Sequence, residues 1–220
     1  HKGVVKRAKA EAEVILSAGA LLSPHLLQIS GIGPEKLLKA NGIEVKSNLQ
    51  NVGQNLSDHL GLDHTLRVNK PSLNQTFRPF HKKFAVALQY IFTRKGPLSI
   101  SINQGGGFIK SHEGLDMPDL QLYFSPLSYS TSPEGKRPLM KPDPYPAVRL
   151  GFNLCKPTSK GRVEIYSPNP LLPPKYYGNY LDTEEDRQGM VRGMRLMRKI
   201  SDAPALRSLI IDEESPGLDL

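Results

Sequence analysis

The 220-residue chain is large enough for one big domain or parts of two, and 38% apolar content suffices for a packed core. No apolar run approaches about eighteen residues and no charged-then-apolar leader opens the chain, so neither membrane spanning nor secretion is expected. Cys155 alone excludes an intrachain disulfide and fits a reducing, cytoplasmic compartment; the net charge of +8 admits nucleic acid, anionic lipid or a polyanionic cofactor, with a solvated basic surface the plainer reading.

In chain order, Gly3-Val4-Val5 is expected as the remnant of a strand. Val14-Ile15-Leu16 is a β-branched apolar run that breaks into Ser17, Ala18 and Gly19, the pattern of a buried strand whose end admits another group against the backbone. Ser23-Pro24 supplies a hydroxyl cap and a first-turn proline for a helix through Leu26, Leu27 and Ile29. Gly31-Ile32-Gly33 ends it, and Pro34 opens a second helix closed by Gly42. A brief strand is expected over 43–45, then a loop carrying Asn51 to His59, then a strand over 60–68. Residues 71–79 read as a polar loop and a domain boundary. Residues 80–92 have helical spacing and stop before the turn Lys95-Gly96-Pro97.

The second half changes character. Strands are expected at 106–110, 120–124, 147–155 and 162–166, separated by proline-rich turns such as 141–146, which predicts an antiparallel sheet. Thr183 caps a helix through Ile200, with acidic residues in its first turn and basic ones in its last. Its apolar stripe, Met190, Val191, Met194 and Met197, reads as core packing. The acidic tail IIDEESPGLDL is expected to be loose, and no repeat of about 20–50 residues appears.

Gly19, Ala20, Ser23, Pro24, Leu26, Leu27, Ser30, Gly31, Ile32 and Gly33 fit, in type and spacing, the second signature of the glucose-methanol-choline (GMC) flavin oxidoreductases, which this chain resembles. Asn51-Val52-Gly53-Gln54-Asn55-Leu56-Ser57-Asp58-His59 is similar to that family's NVGxxLxDH segment. Gly96-Pro97-Leu98-Ser99, Gly106-Gly107-Phe108-Ile109, Pro118-Asp119-Leu120-Gln121, Ser159-Lys160-Gly161-Arg162-Val163 and Asn179-Tyr180-Leu181 resemble pieces of its substrate domain, so the likeness runs over nearly the whole chain.

The resemblance implies an α/β plus α+β architecture. Residues 1–70 would be the end of a Rossmann-like FAD-binding domain, and 71–220 an incomplete substrate-binding domain with an antiparallel sheet and flanking helices. It implies FAD as cofactor and oxidation of an alcohol to an aldehyde or ketone by hydride transfer to flavin. The substrate would be a small-molecule alcohol and the electron acceptor oxygen, a quinone or another carrier, with no nucleic-acid partner. The family's catalytic histidine lies near its C-terminus, so no catalytic residue is assigned here, and the chain, opening at His1, is expected to be an inactive central fragment.

Cofactor contacts are expected at Ser17, Ala18 and Gly19, where small side chains let a dinucleotide reach the backbone; from the residues alone, a tight strand-to-helix turn is the other reading. Asn51, Val52, Gly53, Asn55, Leu56, Asp58 and His59 are flavin-proximal by resemblance. No dinucleotide fingerprint is present, since Lys36 stands where the third glycine belongs, and the pyrophosphate loop is expected upstream of His1. A rival reading takes LLQISGIGPEKLLKANGI as a helix-hairpin-helix element whose backbone amides meet DNA phosphate. Its single copy and its lack of interleaved lysines and aromatics weigh against it.

Asp58-His59 and Asp63-His64 carry metal-ligand types but match no HExxH or finger spacing, and no metal is expected. Arg192, Arg195, Arg198 and Lys199 read as a solvated helix face. Gln104 precedes Gly105-Gly106-Gly107-Phe108, where choline-oxidising relatives carry a glutamate suited to a quaternary ammonium. A neutral amide there favours a neutral alcohol and makes Gln104 the substrate-pocket candidate.

Overall fold

The computed structural model describes residue 4, residues 6–130 and residues 141–217. Along the chain run α1 (Gly19–Ile29), β1 (Ile32–Gly33), α2 (Glu35–Ala40), β2 (Ser47–Asn48), β3 (Gln54–Leu56), β4 (Gly61–Val68), α3 (Asn74–Phe77) and α4 (Phe80–Thr93). There follow a 3-10 turn (Pro97–Ser99), β5 (Gly105–Ile109), β6 (Leu120–Ser125), β7 (Tyr129–Ser130), β8 (Lys141–Pro142), β9 (Ala147–Leu154), β10 (Gly161–Glu164) and β11 (Lys175–Tyr177). Helices α5 (Glu184–Ser201) and α6 (Pro204–Arg207) and strand β12 (Ile210–Ser215) complete the order. Of the strand expected at Gly3-Val4-Val5, all but Val4 lies outside the described residues.

Contacts divide the chain into two compact units, His1–Asp58 with Ser159–Tyr180, and His59–Thr158 with Leu181–Leu220. Residues 59–70 therefore group with the second unit, and 159–180 return to the first.

In the first unit, Val14, Ile15 and Leu16 form no strand and are exposed. A strand is held by its ladder partners, and none is present beside these residues among those described. Helix α1 opens at Gly19, four residues before the expected cap, so Pro24 lies inside it. Ser23 serves differently from expectation: its Oγ accepts the Ala18 N–H at 3.1 Å. The Gly31–Gly33 stretch becomes the short parallel pair β1–β2, and this pairing replaces the strand expected at 43–45. Leu38 of α2 is fully buried, and Gly42 closes that helix at φ +69°, the left-handed turn that favours glycine. Strands β11, β10 and β3 form a three-stranded antiparallel sheet in that order.

In the second unit, five antiparallel strands are ordered β12-β4-β9-β6-β5. Helix α5, capped by Thr183 as expected, packs on one face. Leu120, Phe152 and Leu154 from the sheet meet Met190 and Met197 from the helix, with Met194 packed against the cluster. Val191 leaves the expected stripe for solvent, since it lies about 100° round the helix from Met190. Glycines bring helix and sheet together: a Cβ on Gly193 would lie 2.1 Å from the Phe152 ring, and one on Gly189 2.8 Å from Leu154. Over Ile210–Ser215 the tail is not loose: β12 pairs with β4 and buries the Glu213 side chain, because His64 and Arg198 receive that carboxylate.

Candidate functional site

The first group of candidates gathers around Gln28, the only strongly polar side chain in the run Leu26-Leu27-Gln28-Ile29 and fully buried on α1. Its Nε2 donates to the Val52 carbonyl at 3.2 Å and to the Val163 carbonyl at 3.0 Å, while its Oε1 accepts the Ile165 N–H at 3.0 Å. One carboxamide thus ties α1, the turn before β3 and strand β10 together. A buried backbone group must find a partner, and here a side chain supplies it.

That bond set shapes the turn carrying Asn51, Val52, Gly53, Asn55 and Leu56. The Asn51 carbonyl accepts the Gln54 N–H at 3.0 Å, and the Gly53 carbonyl accepts the Val163 N–H at 2.7 Å. Gly53 sits at φ +86°, and a Cβ there would lie 2.2 Å from the Val163 carbonyl oxygen, so no other residue fits. Asn55 also takes a positive φ, 60°, which asparagine tolerates better than most residues. Asp58 accepts the Tyr180 hydroxyl at 2.6 Å, which raises the Tyr180 pKa above its ordinary value.

Ser17 and Gly19 are exposed, and Ala18 is half-buried. Gly19 has φ +83° with no heavy atom within 4 Å of where its Cβ would be. No side chain caps the N-terminus of α1. The Gly31–Gly33 backbone, in contrast, is spent internally. The Gly31 carbonyl accepts from Lys46 and Ser47, the Gly33 carbonyl from Leu49, and the Gly31 N–H donates to Gln28. Both glycines are buried, so this segment offers no hairpin to DNA phosphate.

In the second unit, His59 Nε2 lies 3.1 Å from the Cys155 carbonyl. Gln104 is exposed just before β5, its backbone N–H bonded to the Phe124 carbonyl at 2.9 Å. Asp63 and His64 point to opposite faces of β4, as neighbours on a strand must, and share no site. His64 meets Glu213 on the side that carries α5, at 3.0 Å, whereas Asp63 pairs with Arg149 on the other, at 3.0 Å. Among the described residues no group of three His, Cys, Asp or Glu side chains is placed to hold a metal. The arginines of α5 disperse too: Arg198 pairs with Glu213 at 2.9 Å and Arg192 donates to Ser111 Oγ at 3.3 Å.

The sheet face opposite α5 carries a network that sequence reasoning missed. The Tyr123 hydroxyl bonds to Asp63, and burial, then that carboxylate, pushes its pKa above the usual phenol value. Arg149 joins Asp63 to the Tyr129 carbonyl and lies over the Tyr129 ring at 4.0 Å. Glycine makes room for the phenol: a Cβ on Gly151 would fall 1.8 Å from the Tyr123 ring. The only sequence signal was Gly151 interrupting an otherwise side-chain-rich strand.

Two family models described as GMC oxidoreductase match the chain, one over residues 1–61 and the other over residues 157–218. This chain belongs to the GMC oxidoreductase family. It is 36% identical over 210 residues to the oxygen-dependent choline dehydrogenase of Staphylococcus saprophyticus, an alignment covering 93% of this chain and 36% of that protein. To the enzyme of the same name from Vibrio vulnificus it is 36% identical over 225 residues, covering 99% of this chain and 38% of that one. A formate oxidase of Aspergillus oryzae superposes with a TM-score of 0.80 at 25% identity, over 94% of this chain and 40% of that one. An FAD-dependent oxidoreductase of Chaetomium thermophilum shares the fold, with a TM-score of 0.79 at 23% identity over 100% of this chain and 43% of that one. The GMC chain described here thus spans little more than a third of the length of the curated relatives it matches. Both its family-matched stretches contribute to the first unit, where α1 and β10 meet through Gln28.

Proposed function

We propose that this chain is the central part of an FAD-dependent oxidoreductase that oxidises an alcohol CH–OH group to an aldehyde or ketone. The observation that carries the reading is the start of α1. Gly19 is open on its Cβ side and at φ +83°, and the first amides of the helix lack a side-chain cap. Helix amides without a side-chain cap, beside a bare backbone, suit an anionic or carbonyl-bearing ligand, so the residues present fit part of a dinucleotide cofactor.

When bound, FAD supplies the hydride acceptor. The chain's own contribution is positional. Ser17, Ala18 and Gly19 offer close backbone approach, and Gln28 holds the Asn51–Leu56 turn rigid against β10. Asp58 in the first unit and His59 in the second are each proposed as flavin-proximal. Gln104 brings a neutral amide to the substrate side, which favours a neutral alcohol over a quaternary ammonium, because only an anion pairs with a fixed cation. No proton acceptor is assigned in this chain. The printed names of the relatives, oxygen-dependent choline dehydrogenases and a formate oxidase studied for FAD modification, support FAD and favour oxygen as electron acceptor.

The test is the visible absorption spectrum of the complete protein. A bound-flavin spectrum that bleaches on adding a neutral primary alcohol, and bleaches less with choline, is the expected result. A colourless protein refutes the oxidoreductase reading, and faster bleaching with choline removes Gln104 as the determinant of choice.

A further inference from the structure

Residues 64–112 contain eight Lys or Arg and no Asp or Glu, so this stretch alone matches the chain's whole net charge of +8. At its centre lies α4, which packs on the second unit through buried Val86 and touches α3 and the 3-10 turn. At 100° per residue, Phe80, Phe84, Leu88, Ile91 and Phe92 fall within a 120° sector on another side of the helix. All five are exposed, by 37–84%. Lys82 and Lys83 lie outside that sector. Arg94 ends the helix in the left-handed conformation, above the Tyr90 ring at 5.3 Å, with Lys95 next to it.

An aromatic stripe bordered by cations, in a stretch of sequence with no Asp or Glu from 64 to 112, matches the pattern of a helix lying in a lipid interface. We propose that α4 docks on an anionic membrane surface. The five apolar side chains enter the boundary between headgroups and acyl chains, while Lys82, Lys83, Arg94 and Lys95 pair with phosphate headgroups. Fourteen residues make about 21 Å of helix, short of the roughly 30 Å hydrocarbon core. The helix therefore lies on the bilayer, consistent with no described helix being long and apolar enough to cross it. Charge selects the occupant: a neutral apolar partner would leave the basic border unused, and anionic lipid uses both features.

The test is co-sedimentation of the complete protein with vesicles of phosphatidylcholine, alone or mixed with phosphatidylglycerol. Binding to the mixed vesicles only, weakened by salt, is expected. The double variant Phe80→Ser, Phe84→Ser should lower the partition coefficient about tenfold or more. Lys82→Glu with Lys83→Glu should lower it similarly, with circular dichroism unchanged; this pair decides the matter if the serine variant fails to fold. Absence of the complete protein from both vesicle pellets overturns the proposal, as does wild-type partition of the folded variants. Two other outcomes also overturn it. A fall in solution mass caused by the serine variant, without vesicle binding, assigns the stripe to a second copy. Strong protection of the α4 side chains from labelling without lipid assigns it to the remainder of the chain.

Discussion

Gln28 and Val163 stand 135 residues apart in sequence, yet the Gln28 carboxamide donates to the Val163 carbonyl at 3.0 Å in the interior of the first unit. The same amide reaches Val52, and its oxygen receives Ile165. Gln28→Leu preserves apolar bulk but strands two carbonyls and an N–H. A loss of about 2–4 kcal/mol is expected, read as a lower urea midpoint of the complete protein. A midpoint within error of wild type shows that water replaces the amide.

Gly19→Ala separates cofactor binding from folding. The Cβ meets nothing in the protein, so the cost to the fold is about 1–2 kcal/mol from the positive φ alone. The complete protein should still fold yet retain markedly less flavin, read from the visible absorbance per polypeptide. Undiminished flavin in this variant takes Gly19 out of the cofactor contacts.

Gly193→Ala tests the close approach of α5 to the sheet. Its new methyl would lie 2.1 Å from the ring of the fully buried Phe152. Overpacking of this kind costs about 1–3 kcal/mol. Phe152→Leu in the same chain should recover part of that loss, and a purely additive double variant argues against direct contact.

The His64, Glu213, Arg198 cluster sets an acid limit. Burial holds the His64 imidazole below its ordinary 6.5 despite Glu213 and Asp202 acting the other way, and Arg198 holds Glu213 below 4.5. In both cases the unfolded chain binds its proton at a higher pH than the folded chain does. Stability is therefore full above about 6.5 and declines as pH falls through that value and again below 4.5. A thermal midpoint measured against pH should show this, and His64→Gln should remove the upper part of the decline.

Tyr123→Phe removes one hydroxyl from Asp63 and leaves the Arg149 pair in place, for about 0.5–1.5 kcal/mol. Asp63→Ala should cost more, because Arg149 is then left half-buried without its carboxylate. Chemical denaturation of both variants checks the order.

Regular elements with strong patterns were legible from sequence. The periodicity of residues 80–92 and 183–200 and the alternation of 60–68 and 147–155 each correspond to an element within about two residues. Local signals failed where a partner decided the outcome. Val14-Ile15-Leu16 has strand composition but no ladder, whereas Ile210–Ser215 has a loose composition and becomes a strand because β4 receives it. The turn at Gly53 was visible as a motif, but the reason for its glycine, the Val163 carbonyl, lay more than a hundred residues away. Gln28 gave almost no sign, since a single polar residue in an apolar helix looks the same whether it faces solvent or three backbone groups.

The chain leaves the first unit after Asp58 and returns to it at Ser159. During synthesis at about 5–20 residues per second, the roughly 100 intervening residues delay that return by roughly 5–20 s. Over that interval a nascent α1 has no β10 to dock on, and the Gln28 amide has only water for two of its three bonds. The high sequence separation of these contacts makes closure slow as well as late. The emerging α1 segment is thus a natural client for chaperones, and its docking on β10 waits for the ribosome to release Val163.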